Sequence, residues 1–216
     1  MRSLVAAAIG LVLLTGVARA QDDHRLRFTV TGLAGQQLVQ STADDVTSKL
    51  SGSVIGFEGV MVGNPFMVRL RYGEGRINPK PESNVEARDV VSGEAMFGMR
   101  ALPWLSLWVG PSARAYTVGE SDQRWLVWWG RATARGALIP GRLQTFVELG
   151  GVFSGNVGNP AIKAGGRMAS GGLEMRFGAM SSFWGRLGYG IESLHADGLR
   201  ETVESLTLSV IYGLPQ

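Results

Sequence analysis

The feature that most limits what this chain can become is a period of two. Ten pieces alternate between two kinds of residue, at 25–35, 53–62, 66–74, 88–100, 104–117, 125–138, 142–153, 167–178, 183–194 and 204–214. One parity is apolar or small, as in Phe28 and Val30, Ile55 and Phe57, Val68 and Leu70, Leu107 and Val109, Val147 and Leu149, or Leu206 and Leu208. The other parity carries Arg27, Glu58, Arg69, Arg71, Glu94, Arg100, Arg114, Arg131, Arg135, Glu148, Glu174, Arg176, Arg186 and Glu192. Successive side chains of a strand point to opposite faces, so each piece predicts a strand with one apolar and one charged face. Where a piece holds two of these charges, as Arg69 with Arg71 or Arg131 with Arg135, both share a face. A soluble half-buried strand also alternates, so the pattern alone does not say which face is buried.

The connections sharpen the reading. Gly63-Asn64-Pro65, Ala101-Leu102-Pro103, Ile139-Pro140-Gly141 and Ala179-Met180-Ser181-Ser182 are tight-turn material. Between them lie longer, more polar stretches, 36–52, 75–87, 118–124, 154–166 and 195–203, which read as loops. Short and long connections alternate, the layout of a membrane barrel with short turns at one end and loops at the other. All three lysines, Lys49, Lys80 and Lys163, fall in the stretches read as loops. Pro111 sits mid-strand and removes a ladder donor, so a bulge is expected there.

The first twenty residues stand apart. Arg2, an apolar run from Leu4 to Val17 and the small-x-small Ala18-Arg19-Ala20 form the pattern of a cleaved secretory signal. The run is shorter than the ~20 residues a spanning helix needs. The expected domains are therefore a signal at 1–20 and one barrel at 21–216. No later stretch holds 18 consecutive apolar residues. Cysteine is absent, which excludes disulfides, thiol nucleophiles and thiolate metal sites. Two histidines do not make a multi-histidine metal centre. Net charge is +3, and two of the positive charges, Arg2 and Arg19, belong to the signal. Nothing in that balance points to nucleic acid.

With alternating strands, turn–loop alternation, the Ala18-Arg19-Ala20 ending and a last strand of Leu206, Leu208, Val210, Tyr212 and Leu214, the chain resembles the small bacterial outer-membrane β-barrel proteins, OmpA- and OmpX-like in the broad sense. The resemblance covers 25–214. It implies a closed all-β, antiparallel, up-and-down transmembrane barrel, insertion by the outer-membrane assembly machinery, outer-membrane lipid as partner, a monomer, and no cofactor. The chain departs from the group in ending Leu214-Pro215-Gln216 rather than on Phe or Trp. The pieces give ten strands; eight is the alternative, because 36–52 can hide or replace one.

On this reading the fourteen charges above line the lumen and pair, because isolated buried charges are costly. Near eight strands a barrel is filled by its own side chains. The expected function is a structural or surface-interaction barrel with a charged, largely plugged lumen. The alternative is a narrow, anion-favouring, porin-like pore or small-solute transporter. Phe66, Tyr72, Trp104, Trp125, Trp128, Phe153, Phe177, Trp184, Tyr189 and Tyr212 are expected as interfacial aromatics. No catalytic, cofactor or metal residues are assigned. Two weaker readings remain: a rim hydrolase using Asp44, Asp45, His195 and Asp197, and a soluble periplasmic barrel of lipocalin type.

Overall fold

The protein is described here from a computed structural model, covering residues 26–43, 46–118, 121–158, 162–178 and 181–213. The Ala18-Arg19-Ala20 segment and the Asp44-Asp45 pair lie outside the described residues. Ten strands follow in order: β1 (Arg27–Ala43), β2 (Val46–Gly63), β3 (Phe66–Pro79), β4 (Arg88–Leu102), β5 (Leu105–Val118), β6 (Ser121–Ile139), β7 (Leu143–Val157), β8 (Ile162–Arg176), β9 (Phe183–Ala196) and β10 (Leu199–Tyr212). Each pairs antiparallel with its sequence neighbours, and β1 pairs with β10 to close the barrel. Closure leaves no free edge, so every strand has a backbone partner on both sides. The strand number is ten, not eight.

The outer wall is apolar around the whole middle of the barrel. Leu70, Phe97, Val147, Leu149, Leu187 and Leu208 stand exposed on it. The register puts Arg69, Arg131, Glu148 and their like on the inner wall, where they are buried. This arrangement is the inverse of a soluble barrel, so the lipocalin reading fails on sidedness.

The lower end, at 64–65, 103–104, 140–142 and 177–182, carries the tight connections read from the sequence. The upper end differs from that reading. Strands β1, β2 and β6 run for 17, 18 and 19 residues, well beyond the ~9–11 a tilted membrane strand needs. The stretches 36–52, 118–124 and 195–203 are therefore mostly strand, and only positions 44–45, 119–120 and 197–198 separate the paired strands there. The connection at 80–87 is the long one. Lys49 and Lys163 accordingly sit on strands, and Lys80 alone lies in a connection.

The reason is a reversal of polarity along the strands. Above the apolar belt, Val39, Leu50, Ile77, Val90, Val127, Val157, Leu194 and Val203 are buried inside. The outward positions there are polar, such as Gln40, Thr42, Thr47, Asn78 and Asn156. The rim is thus built like a soluble barrel set on top of a membrane barrel. A reader looking for apolar residues on one constant parity loses the strand where the parity flips.

Pro111 does not bulge. It stays in register opposite Trp128 on β6, and the ladder to β4 lapses between Glu94–Ser112 and Phe97–Val109 without a shift. The neighbouring Gly110 leaves room for β5 to press against the Ala95 carbonyl, which a side chain would block. The register does shift one strand over, where Trp128 and Trp129 oppose Ser154 and Val152.

Candidate functional site: a three-tiered ionic lumen

The middle tier is a closed ring of alternating charge. Arg69 on β3 reaches Glu148 on β7 at 2.8 Å and Glu94 on β4 at 3.1 Å. Arg131 on β6 reaches the other oxygens of the same two carboxylates, Glu94 at 2.6 Å and Glu148 at 3.2 Å. The Thr133 hydroxyl donates to Glu148 at 2.7 Å. The two guanidinium groups also lie over indole rings, Arg69 over Trp108 at 4.8 Å and Arg131 over Trp129 at 5.0 Å. Each charge is desolvated and has two opposite charges in return, and each guanidinium adds a polarisable ring face.

The sequence makes room for this ring with glycines. Gly98 faces Trp108 across the β4–β5 ladder, and the indole lies where a Cβ would be. Gly150 faces Arg131, whose Cγ would be 2.8 Å from an added Cβ. Gly98→Ala should therefore displace Trp108 and cost about 1–3 kcal/mol, as overpacking does. Urea unfolding from lipid vesicles, followed by tryptophan fluorescence, measures it; an unchanged midpoint would contradict the packing.

The lower tier centres on Glu174, whose side chain is wholly buried. Arg186 donates to it from Nε at 2.7 Å and meets Glu58 at 3.4 Å. Gln144 also donates to Glu174, and Arg135 stands 3.9 Å away. Below it Val62, Met67, Trp184 and Ile211 are buried on the β2, β3, β9 and β10 side of the lower lumen. The upper tier lies inside the apolar rim. Glu201 accepts from Arg114 at 3.2 Å, from the Tyr116 hydroxyl at 2.8 Å and from the Trp125 indole at 3.1 Å. Arg114 also meets Glu192 at 2.9 Å. These links cross from β5 and β6 to β9 and β10, on the far side of the barrel.

Ten of the fourteen charges read from the sequence meet in these tiers. Arg71 also faces the interior but makes no ion pair within 4.0 Å among the described residues; it lies between two cavities of about 120 and 140 Å³. The cavities share Leu33, Arg71, Glu148, Ser170, Gly190, Ser205 and Thr207, so they adjoin one another beside the ring. Arg27, Arg100 and Arg176 stand at the lower mouth, outside the tiers. Glu201 was missed because its segment read as a loop. The signal was present: Glu201 and Val203 share parity with Ser209 and Ile211.

Two of the expected interfacial aromatics are corrected. Trp125 is 1 % exposed and holds Glu201, and Trp184 is 6 % exposed in the lower lumen. Both share parity with the charges of their own strands, Trp125 with Arg131 and Trp184 with Arg186, so the ladder turns them inward. Phe66, Trp104, Trp128, Phe153, Phe177, Tyr189 and Tyr212 are exposed on the outside. Tyr72 joins Phe57 there at 5.6 Å, and its hydroxyl donates to Glu74 at 2.7 Å. Tyr189 likewise donates to Glu204 at 2.9 Å. These two tyrosine–glutamate pairs mark where the apolar belt gives way to the polar rim. His195 also points outward, against Gly165.

No protein-family model matches the chain, and no curated protein does. Solved structures do. The chain is similar to the COG4313 outer membrane channel of Pseudomonas putida F1, with 11% identity and a TM-score of 0.52 over 91% of this chain and all of that one. It is similar to the outer membrane protease OmpT of Escherichia coli, with 7% identity and a TM-score of 0.56 over 92% of this chain and all of that one. The fold is that of the outer-membrane β-barrels. One of these neighbours is a channel and the other a protease, so likeness at this level fixes architecture and leaves the activity to the lumen and the rim.

Proposed function

We propose that the protein is an integral outer-membrane barrel with a closed lumen, exported through a signal removed after Ala20, and serving a structural or surface-presenting role rather than catalysis or bulk transport. The observation that carries this reading is the stack of ionic tiers bridging opposite walls between an apolar floor and an apolar rim. A barrel meant to conduct leaves its axis open; this one spends its interior on cross-braces. The braces hold the rim rigid above the membrane, where its outer wall and the 80–87 connection meet the surroundings. The exported protein should begin at Gln21 by N-terminal sequencing.

Planar-bilayer recording tests the closed lumen. The expected result is rare, small openings. A large, steady, nonselective conductance would overturn it. One observation favours a second reading, a narrow anion pathway: two cavities lie against the ring and Arg71 lines both. Any residual current should then favour anions and lose that preference in Arg71→Gln.

A further inference from the structure

The outer wall of β8, β9 and β10 carries cations that have no ion-pair partner among the described residues. Lys163, Arg167, His195 and Arg200 are all exposed on it. The register sets His195 between Gly165 on β8 and Arg200 on β10. The imidazole lies against Gly165, where an added Cβ would be 2.8 Å from Nε2. Lys163 and Arg167 stand two positions either side of that glycine. Strands are spaced about 4.8 Å apart and rise about 3.3 Å per residue, so the four groups frame a patch roughly 10 by 13 Å.

On another part of the wall, Arg76 meets Asp89 at 3.8 Å. Here the Lys163, Arg167 and Arg200 side chains have no ion pair or hydrogen bond among the described residues. Of the acidic neighbours, Glu204 accepts from Tyr189, and Asp197 lies in the β9–β10 turn.

Height on the barrel says what these cations face. Arg167 is opposite Ser193, two pairs above Ala169–Ile191. It lies eight residues from the exposed Met175 near the lower end, about 20 Å up a tilted strand and close to the top of a ~25 Å apolar band. A cation there is costly against hydrocarbon, and it gains most from an anion held in the head-group layer just above. His195, Arg200 and Lys163 continue upward through that layer.

We infer that this wall is a binding site for the phosphorylated sugar head group of an outer-leaflet glycolipid, with Arg167 and Arg200 holding phosphate and the imidazole of His195 and Gly165 forming the floor. The inference rests on the membrane reading above. The patch matches a phosphorylated sugar in size, and its charge complements one.

The test uses the folded chain in phosphatidylcholine vesicles with or without diphosphoryl lipid A. Lipid retained on the barrel is counted by native mass spectrometry after extraction, and thermal unfolding is followed by heat-modified gel mobility. The wild type should retain lipid A, unfold at higher temperature with it, and lose the effect in high salt. Arg167→Gln with Arg200→Gln should weaken retention at least tenfold while inserting normally into phosphatidylcholine alone. Arg76→Gln, on another wall, should leave retention unchanged. Equal retention by the wild type and the double variant would overturn the site, as would equal retention of dephosphorylated lipid A by the wild type. Failure of the wild type to insert into phosphatidylcholine would instead overturn the membrane reading beneath it.

Discussion

Glu148→Ala should destabilise the barrel by about 3–5 kcal/mol, the cost of leaving buried charge without its partner. Glu148 is the carboxylate that Arg69, Arg131 and Thr133 all address. Its removal leaves two guanidinium groups, both largely buried, sharing Glu94. Equilibrium urea unfolding from vesicles measures the loss. The decisive comparison replaces the whole ring, Arg69, Glu94, Arg131 and Glu148, with Met. Buried ion networks return little more than they cost to desolvate, so the fourfold variant should lose less stability than the single one. A loss below about 1 kcal/mol for Glu148→Ala would mean that the ring behaves as an exposed, screened pair.

How much of this was legible before the structure follows from where parity holds. In the membrane belt one rule governs every strand, apolar outward and charged inward. That Arg69, Glu94, Arg131 and Glu148 lie on the face opposite the apolar one could therefore be read from their spacing, and the membrane reading turns that face inward. What the spacing could not show is which charges meet. Arg69 and Glu148 are 79 positions apart, and their contact depends on barrel closure rather than on any local pattern. The rim was illegible for a different reason. Val39, Leu50 and Val203 point inward where Val30, Ile55 and Leu208 point outward, because solvent replaces lipid above the belt and the favourable arrangement reverses. Gln-, Ser- and Thr-rich strand then resembles loop.

The aromatics show the limit of composition. Tryptophans near strand ends suggested lipid interfaces, but parity outranks position along the strand. Trp108, Trp125, Trp129 and Trp184 all share a face with arginines or glutamates of the same strand, and all four are buried. Their work is internal: two stack on arginines of the ring, and one donates to Glu201. Trp128, one residue from Trp129, faces out and meets Phe153 at 6.4 Å.

The polarity reversal makes a prediction that no uniform barrel would. Leu70 and Asn78 occupy the same outward face of β3, eight residues apart. Leu70 is 54 % exposed within the apolar belt, beside Gly59 and Ala95. Asn78 lies opposite Ser51 in the polar rim, about 20 Å higher along a tilted strand. Leu70→Arg should cost about 2–4 kcal/mol, because it places a cation near the bilayer midplane. Asn78→Arg should cost about 0–1 kcal/mol, because its side chain is already in water or among head groups. Leu208→Arg on β10 should behave like Leu70→Arg. Paired urea titrations in vesicles compare them directly. Equal costs at Leu70 and Asn78 would mean that the belt extends to the top of the strands, and that the rim does not stand clear of the membrane.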